Sequence, residues 1–181
     1  AHISASPEQL KYAMNELNNA VSLSGTDSIT FVIGENGLDL AKKINIPFPI
    51  IKVGNWIGPL LVHAAKRKVK KILLLGYYGK LIKLAGGIFH THNHLSDARI
   101  EILVYLAVKE KLPLKIINSF IKSKTIDDAI KIVEDFNIEA AKKLIFQISD
   151  HAEIRSMEYI QKYISSTIKV GVVLFDRERK I

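Results

Sequence analysis

The chain has 181 residues and a formal net charge of +8, and 48% of its residues are hydrophobic against 24% that are charged. This balance is typical of a folded globular protein and excludes general disorder. Cysteine is absent, which excludes disulfides, thiolate nucleophiles and iron–sulfur clusters, so any nucleophile or metal ligand must be an oxygen or nitrogen atom. The positive charge reflects either a lysine-rich source proteome or a surface that binds anions.

The length predicts a single domain over residues 1–181. No apolar run approaches the ~18 residues that a membrane span needs, and the first residues lack the layout of a signal peptide. We therefore expect a cytoplasmic protein with no membrane partner.

The first half of the chain alternates helices and strands. Ser6-Pro7-Glu8-Gln9 is typical of a helix start, with serine as N-cap and proline at the first helical position, and the helix should end near Ala20. A helix over 38–44 and another ending near Lys68 follow the first two strands. The strands are predicted at 28–33, 49–53 and 70–75, and each ends at a glycine turn.

The second half is mainly helical. Ser96 is a fitting N-cap, with Asp97 at the first helical position, where its charge interacts favourably with the helix dipole. Asn137 can cap a later helix, for which Ser149-Asp150 offers a break. The other helices are predicted at 114–122 and 125–136, and a final strand at 168–175.

The order of these elements indicates an open α/β fold. The strand over 70–75 is apolar without alternation, which indicates burial on both faces and hence a parallel sheet covered by helices. We therefore predict a Rossmann-like, mainly parallel sheet of about four strands, followed by a helical carboxyl-terminal half that ends in a strand.

Three glycine turns follow the predicted strands. Ligands of open parallel sheets bind outside the carboxyl ends of the strands, so these turns are expected to line one crevice, unless the glycines only make tight turns. No G-x-G-x-x-G motif occurs and the third turn does not fit a Walker loop, so a nucleotide triphosphatase is not favoured. The turns are Gly34-Glu35-Asn36-Gly37, Gly54-Asn55-Trp56-Ile57-Gly58 and Gly76-Tyr77-Tyr78-Gly79-Lys80.

Basic side chains lie beside the third turn. Lys80 and Lys83 share one face of a helical turn next to Gly86-Gly87 and could hold carboxylates or phosphates, and the alternative is a pair of solvated lysines. Trp56 could stack on a planar ligand or pack in the core.

The most unusual segment is His90-Thr91-His92-Asn93-His94. If it is extended, three imidazoles lie on one face and could bind a divalent metal, and the alternative is a polar loop whose histidines titrate freely. The basic residues lack aromatic neighbours and an arginine-rich helix, so nucleic acid is the less favoured partner.

Several of these motifs, in this order, resemble the CbiD family of cobalt-precorrin-5B C1-methyltransferases. The resemblance is strongest between Ile50 and Leu103, and Leu174-Phe175-Asp176-Arg177 is similar to the carboxyl end of that family. Family members are longer and carry an amino-terminal domain with a Thr-Thr-Gly motif, so this chain looks like their carboxyl-terminal domain. His92 matches the recurrent histidine of the family, whereas His90 and His94 fall at more variable positions.

The resemblance implies methyl transfer from S-adenosylmethionine to C1 of a cobalt-precorrin, with this chain supplying part of the site beside the missing amino-terminal domain. A non-catalytic nucleotide- or anion-binding module is the alternative, and homo-oligomerisation stays open. We predict no metal site. The candidate catalytic residues are His92 and Asp97. The candidate donor-binding residues are Gly34, Glu35, Asn36, Gly54, Asn55, Trp56, Gly76 and Gly79. The candidate substrate-binding residues are Lys80, Lys83, Gly86, Gly87, His90, Thr91 and His94.

Overall fold

A computed structural model describes residues 6–181 as an α/β structure built on one parallel sheet. The helices are α1 (Pro7–Ser24), α2 (Gly34–Lys43), α3 (Ile57–Lys66), α4 (Tyr78–Ala85), α5 (Arg99–Lys109), α6 (Leu114–Phe120), α7 (Ile126–Phe136) and α8 (Ile138–Gln161). The strands are β1 (Ser28–Val32), β2 (Ile50–Lys52), β3 (Lys71–Tyr77) and β4 (Lys169–Phe175). The predicted fold class, with its helical second half and final strand, is confirmed.

The strand order β2-β1-β3-β4 places a topological switch point between β1 and β3. From β1 the chain moves to one side to form β2, and it then crosses to the other side of β1 to form β3. Val32 pairs with both Lys52 and Leu75, so β1 and β2 end level with each other and β3 continues past them to Tyr77. Since the connections leave β1 and β3 in opposite directions, a crevice is expected at this edge of the sheet.

Helices pack on both faces of the sheet. Phe31, Ile72 and Leu74 belong to the main core, which also includes the buried sides of α1, α3, α4 and α8. On the other face, α2 contributes Leu40 and Ala41 to a smaller cluster that also includes residues of β1, β3 and the end of β4. The near-continuous apolar sequence of β3 reflects this burial on two sides.

The helix caps predicted at Ser6 and Asn137 are confirmed, and Thr125 caps α7. Ser6 accepts a hydrogen bond from the N–H of Gln9 (3.3 Å), and Thr125 accepts one from Asp128 (3.1 Å). The Asn137 side chain accepts from the N–H groups of Glu139 (2.9 Å) and Ala140 (3.0 Å) at the start of α8. Each bond satisfies an N–H group that has no partner within its own helix.

The boundaries predicted for α8 and α2 are wrong. No break occurs at Ser149-Asp150, because the Ser149 hydroxyl donates back to the carbonyl of Phe146 (2.9 Å) and neither glycine nor proline interrupts α8. The segment Gly34-Glu35-Asn36-Gly37 is not a turn before a helix at Leu38, since α2 already begins at Gly34. The first glycine turn is therefore the first turn of a helix.

Within residues 6–181, the strand β4 forms an edge of the sheet and pairs with β3 alone. A side-chain oxygen of Glu153, from α8, accepts the backbone N–H of Val172 in the middle of this strand (2.8 Å).

No helix within residues 6–181 combines the length and the apolar character needed to cross a membrane.

Candidate functional site

A cleft of about 510 Å³ lies at the switch point, at the carboxyl ends of β1, β3 and β4, and we call it the switch-point cleft. Its first wall follows β1 and consists of Gly34, Glu35 and Asn36. Its second wall follows β3 and β4 and consists of Tyr77, Lys80, Asp176 and Arg177. Ile33 and Phe175 complete its lining.

Two glycines shape the first wall. Gly34 has φ +78°, a conformation that side chains rarely adopt, and a Cβ atom there would meet only open space. At Gly37 a Cβ atom would lie 3.3 Å from the carbonyl oxygen of Leu75, so glycine allows α2 to approach β3 closely. The N-cap residue of α2, Ile33, forms no capping side-chain hydrogen bond. The amino-terminal end of α2 therefore faces the cleft, and such an end favours electron-rich groups.

The polar side chains of the first wall have basic partners. Glu35 forms an ion pair with Lys52, and its side chain is 70% exposed. The Asn36 side-chain oxygen accepts a hydrogen bond from Arg179 (2.8 Å), which also approaches Asp39 (3.7 Å). Both groups are thus held at the cleft by contacts that lie at the surface.

A cluster around Asp127 supports the second wall. Asp127, in the first turn of α7, accepts hydrogen bonds from the hydroxyls of Tyr77 and Tyr78 (2.8 Å for Tyr78), and Arg177 Nε lies 3.0 Å from its Oδ2 atom. Burial, together with the hydrogen bond to Asp127, raises the pKa of Tyr77 to about 12. The pKa of Tyr78 is raised for the same two reasons. These contacts tie the ends of β3 and β4 to α7.

Asp127 and Arg177 were not among the residues predicted to form the site. Asp127 lies in the first turn of α7, where acidic residues are common, so its type and position in the sequence do not mark it as a site residue. Arg177 follows β4 closely, as Gly34 follows β1, so its position at the carboxyl end of the final strand was the available signal.

Lys80 is an exposed residue of the second wall. Among the described residues its ammonium group forms no hydrogen bond or ion pair. Partial desolvation within the cleft lowers its pKa. Lys80 is therefore available to an anionic group of a ligand.

Lys83 has a different environment, because it is only 1% exposed. Its ammonium group donates to the carbonyls of Thr91 (3.1 Å) and Ser96 (2.7 Å) and to the side-chain oxygen of Asn93 (2.7 Å). Desolvation lowers its pKa, and the charge of Asp97 opposes this effect. The structure thus gives Lys83 a structural role, holding residues 88–98, in place of the predicted ligand contact. We call residues 88–98 the histidine loop.

The second glycine turn contacts the histidine loop instead of the switch-point cleft. The Thr91 hydroxyl donates to the side-chain oxygen of Asn55 (2.9 Å), and the Thr91 N–H donates to the Asn55 carbonyl (3.2 Å). The N–H of Gly58 donates to the carbonyl of Phe89 (3.0 Å). Gly54 and Asn55 are buried, so this turn holds the histidine loop from its buried side. The expectation that all three glycine turns line one crevice is therefore wrong.

The third turn also owes its glycines to packing. A Cβ atom at Gly76, within β3, would lie 3.0 Å from the Leu81 side chain and 3.1 Å from that of Ile33. Gly79 lies against the ring of Tyr77. Both glycines are buried, whereas Gly86 and Gly87 are exposed at the end of α4. Of this turn, only Tyr77 and Lys80 line the cleft.

The three histidines form a row. The ring centroids of His90 and His92 are 6.5 Å apart, and those of His92 and His94 are 5.0 Å apart with the rings stacked. The Trp56 ring meets His90 edge to face at 4.6 Å, and its indole N–H donates to the carbonyl of Ser6 (3.1 Å). Desolvation lowers the pKa of His90. Within the described part of the chain, no three potential ligands converge on a metal position.

Asp97 forms a bidentate ion pair with Arg99, with distances of 2.5 and 2.7 Å. This hydrogen bonding holds the pKa of Asp97 below its usual range. The predicted helix start at Ser96 is wrong: α5 begins at Arg99, and Lys83 binds the Ser96 carbonyl. An ionised, paired carboxylate of this kind is suited to holding Arg99 rather than to transferring a proton.

A second cleft, of about 550 Å³, lies between α5 and the segment that leads from α6 into the start of α7, and we call it the α5–α7 cleft. Asp97, Arg99 and Lys124 are among its polar lining residues, and Ile100 and Ile126 are among its apolar ones. Ile126 lines this cleft and the next residue, Asp127, supports the wall of the other, so both clefts lie near the start of α7.

Comparisons with known proteins give one consistent result. Residues 90–181 match the family model described as CbiD, C-terminal domain. Over 178 residues, 98% of the chain, it is 60% identical to a cobalt-precorrin-5B C(1)-methyltransferase of Prochlorococcus marinus subsp. pastoris and 58% identical to one of Prochlorococcus marinus (strain MIT 9515). The match covers 48% of each relative, so the chain spans about half their length. No solved structure matches the chain significantly.

Proposed function

The chain belongs to the CbiD family, and from this membership we propose that it takes part in methyl transfer from S-adenosylmethionine to C1 of cobalt-precorrin-5B in cobalamin biosynthesis. We propose that residues 1–181 form the carboxyl-terminal α/β domain of a longer enzyme. The names and lengths of the relatives support both statements, since each relative named as this methyltransferase is about twice as long as the chain.

The switch-point cleft is the main structural support for a donor-binding site in this chain. Nucleosides bind open α/β sheets at this position, and Gly34 leaves open space above the start of α2. Glu35 and Asn36 present oxygen atoms there that could accept hydrogen bonds from ribose hydroxyls. Their surface contacts with Lys52 and Arg179 would be loosened or shared on binding, at a cost of about 1 kcal/mol or less each.

The bound donor supplies a methyl group whose bond to sulfur breaks, with its electron pair passing to sulfur, as the corrin carbon bonds to the methyl carbon. The work of the protein is then to align the two reactants and to exclude water. The two clefts suit this task, because the second wall of the switch-point cleft is fixed near the start of α7 by the contacts of Asp127 with Tyr77, Tyr78 and Arg177.

We place the corrin precursor next to the α5–α7 cleft and the histidine loop. The apolar residues Ile100 and Ile126 can contact the macrocycle, and Arg99 and Lys124 can bind its carboxylates. His92 lies half-buried on the loop, where it can orient a corrin carboxylate or remove a proton. Asp97 acts in this arrangement by positioning Arg99.

Calorimetric titration of the purified chain with S-adenosylhomocysteine tests this proposal, and a short DNA duplex serves as the competing ligand. We expect binding of the nucleoside and a loss of at least tenfold in affinity for Gly34→Ala, because alanine strains the backbone at the start of α2. Gly25→Ala is the matched control, since Gly25 also has a positive φ and open space around it but ends α1.

Binding of the duplex that collapses with added salt, without binding of the nucleoside, would overturn the donor site. Binding of the nucleoside with equal affinity by the Gly34→Ala and Gly25→Ala variants would place the donor outside the switch-point cleft. A non-catalytic nucleotide- or anion-binding module is the second candidate, and the pairing of Asp97 with Arg99 favours it, because this pairing removes a potential proton acceptor. Binding of simple nucleotides as tightly as of the homocysteine derivative would support that candidate.

A further inference from the structure

We propose that the second wall of the switch-point cleft contains a carboxylate subsite in which Lys80 and Arg177 bind the amino-acid end of the sulfonium donor. This inference rests on the proposed function, since it takes the donor to occupy the cleft. The subsite gives Arg177, Asp127 and Lys80 a role in binding the donor. The nucleoside contacts proposed above involve only the first wall.

The direction of the donor follows from the order of the strands. Glu35 and Asn36 lie after β1, whereas Lys80 and Arg177 lie after β3 and β4, so the two pairs face each other across the cleft. A donor whose ribose contacts the first wall extends its other end towards the second wall. That end carries a carboxylate and an ammonium group, which calls for cations and an anion on this wall.

Arg177 has the geometry of an anion-binding residue. Its Nε atom lies 3.0 Å from Asp127, whose side chain is only 21% exposed, while the Arg177 side chain is 64% exposed. The hydroxyls of Tyr77 and Tyr78 hold the Asp127 carboxylate in place. A guanidinium group has five N–H donors, more than one carboxylate shared with two tyrosines satisfies, so an incoming carboxylate finds donors already oriented.

Lys80 and Asp176 complete the complementarity. Lys80 lacks an acidic partner among the described residues, and partial desolvation disfavours its charge, so a bound carboxylate would stabilise the charged ammonium group. The Asp176 side chain accepts the backbone N–H of Lys180 (2.9 Å), which fixes a carboxylate beside Arg177. It can face the α-ammonium group of the donor. The wall thus matches a zwitterion better than a simple anion.

The test compares S-adenosylhomocysteine with 5′-methylthioadenosine, which keeps the nucleoside and the sulfur atom but lacks the amino-acid end. We expect the purified chain to bind the first ligand at least tenfold more tightly than the second. Arg177→Gln and Lys80→Gln should each reduce this preference about tenfold and leave the affinity for methylthioadenosine within twofold. Arg155→Gln is the matched control, because Arg155 is an exposed, singly paired arginine on α8.

Asp127→Asn tests the positioning of Arg177. The preference for the amino-acid end should fall, and Arg177→Gln in the same chain should reduce it little further, because both changes act through one guanidinium group. Arg177→Lys should restore part of the preference. A cooperative thermal melt of each variant shows that the fold is retained.

Three results would overturn the subsite. Arg177→Gln and Lys80→Gln could leave the preference unchanged, or they could weaken both ligands equally. They could also weaken binding of cobyrinic acid, a corrin polycarboxylate, without affecting the preference, which would assign these cations to the corrin. In all three cases the proposed donor site stands. Failure of the unmodified chain to bind either nucleoside would reject the donor site together with the subsite.

Discussion

Lys83 shows how a single buried charge fixes the conformation of a loop. Removing an ammonium group from water is costly unless oxygen atoms replace the water. Thr91, Asn93 and Ser96 supply three such oxygens from the histidine loop, which matches the three N–H donors of lysine. The positions of His92 and of its neighbours therefore depend on Lys83, a residue of α4 that we do not place in contact with either ligand.

Lys83→Met should destabilise the chain by about 3 kcal/mol, because methionine keeps most of the apolar stem but leaves the buried Thr91 carbonyl and two partly buried oxygens without their donor. Urea unfolding measures this loss. Lys80→Met is the matched control, one turn earlier on the same helix and exposed, and its effect should stay within about 0.5 kcal/mol. Equal effects of the two changes would show that the three hydrogen bonds contribute little.

Asn137 links two helices at the scale of structural elements. It ends α7 and begins α8 without a linker, and its side chain accepts two N–H groups of α8. The direction of the longest helix in the described chain, and with it the packing of α8 on the sheet, is thus set at one residue.

Asn137→Ala should reduce stability by about 1 kcal/mol, because two N–H groups at the start of α8 lose their acceptor. The melting temperature should fall by roughly 2–4 °C, measured by circular dichroism. Asn137→Asp keeps an acceptor and should retain most of the stability. A loss as large for aspartate as for alanine would contradict the capping role.

Local contacts explain which elements the sequence predicts. The Ser6, Thr125 and Asn137 caps were predictable because each bond spans two or three residues. The site was only partly predictable, since Tyr77 and Asp127 are 50 residues apart in the chain and meet through the fold. The burial of Lys83 could not be predicted from the sequence either, because it depends on where the carbonyls of the histidine loop lie.

At the scale of the whole molecule, the chain has two clefts near the start of α7 and spans about half the length of the relatives that it matches. The switch-point cleft and the α5–α7 cleft measure about 510 and 550 Å³, and a corrin precursor with its carboxylates is too broad for one of them. Ligand sites commonly lie between domains. We therefore propose that the amino-terminal half found in the relatives supplies the opposite wall of the corrin site.

The chain should fold by itself and fail to turn over. We expect a cooperative melt, because the main core joins seven of the described helices to the sheet. The remaining described helix, α2, packs in the smaller cluster on the other face. Methyl transfer, assayed with cobalt-precorrin-5B and S-adenosylmethionine, should be absent and should return when the amino-terminal half of a relative is added or fused. Full turnover by residues 1–181 alone would place the whole site within this chain.

The contact between Glu153 and Val172 bears on how the molecule avoids self-association. An edge strand such as β4 offers backbone N–H and C=O groups to any other strand, including that of a second copy. The Glu153 carboxylate already occupies one of these N–H groups at the centre of the strand. A strand that added here would have to displace this carboxylate and bury its charge, so growth of the sheet beyond β4 is disfavoured at its middle position.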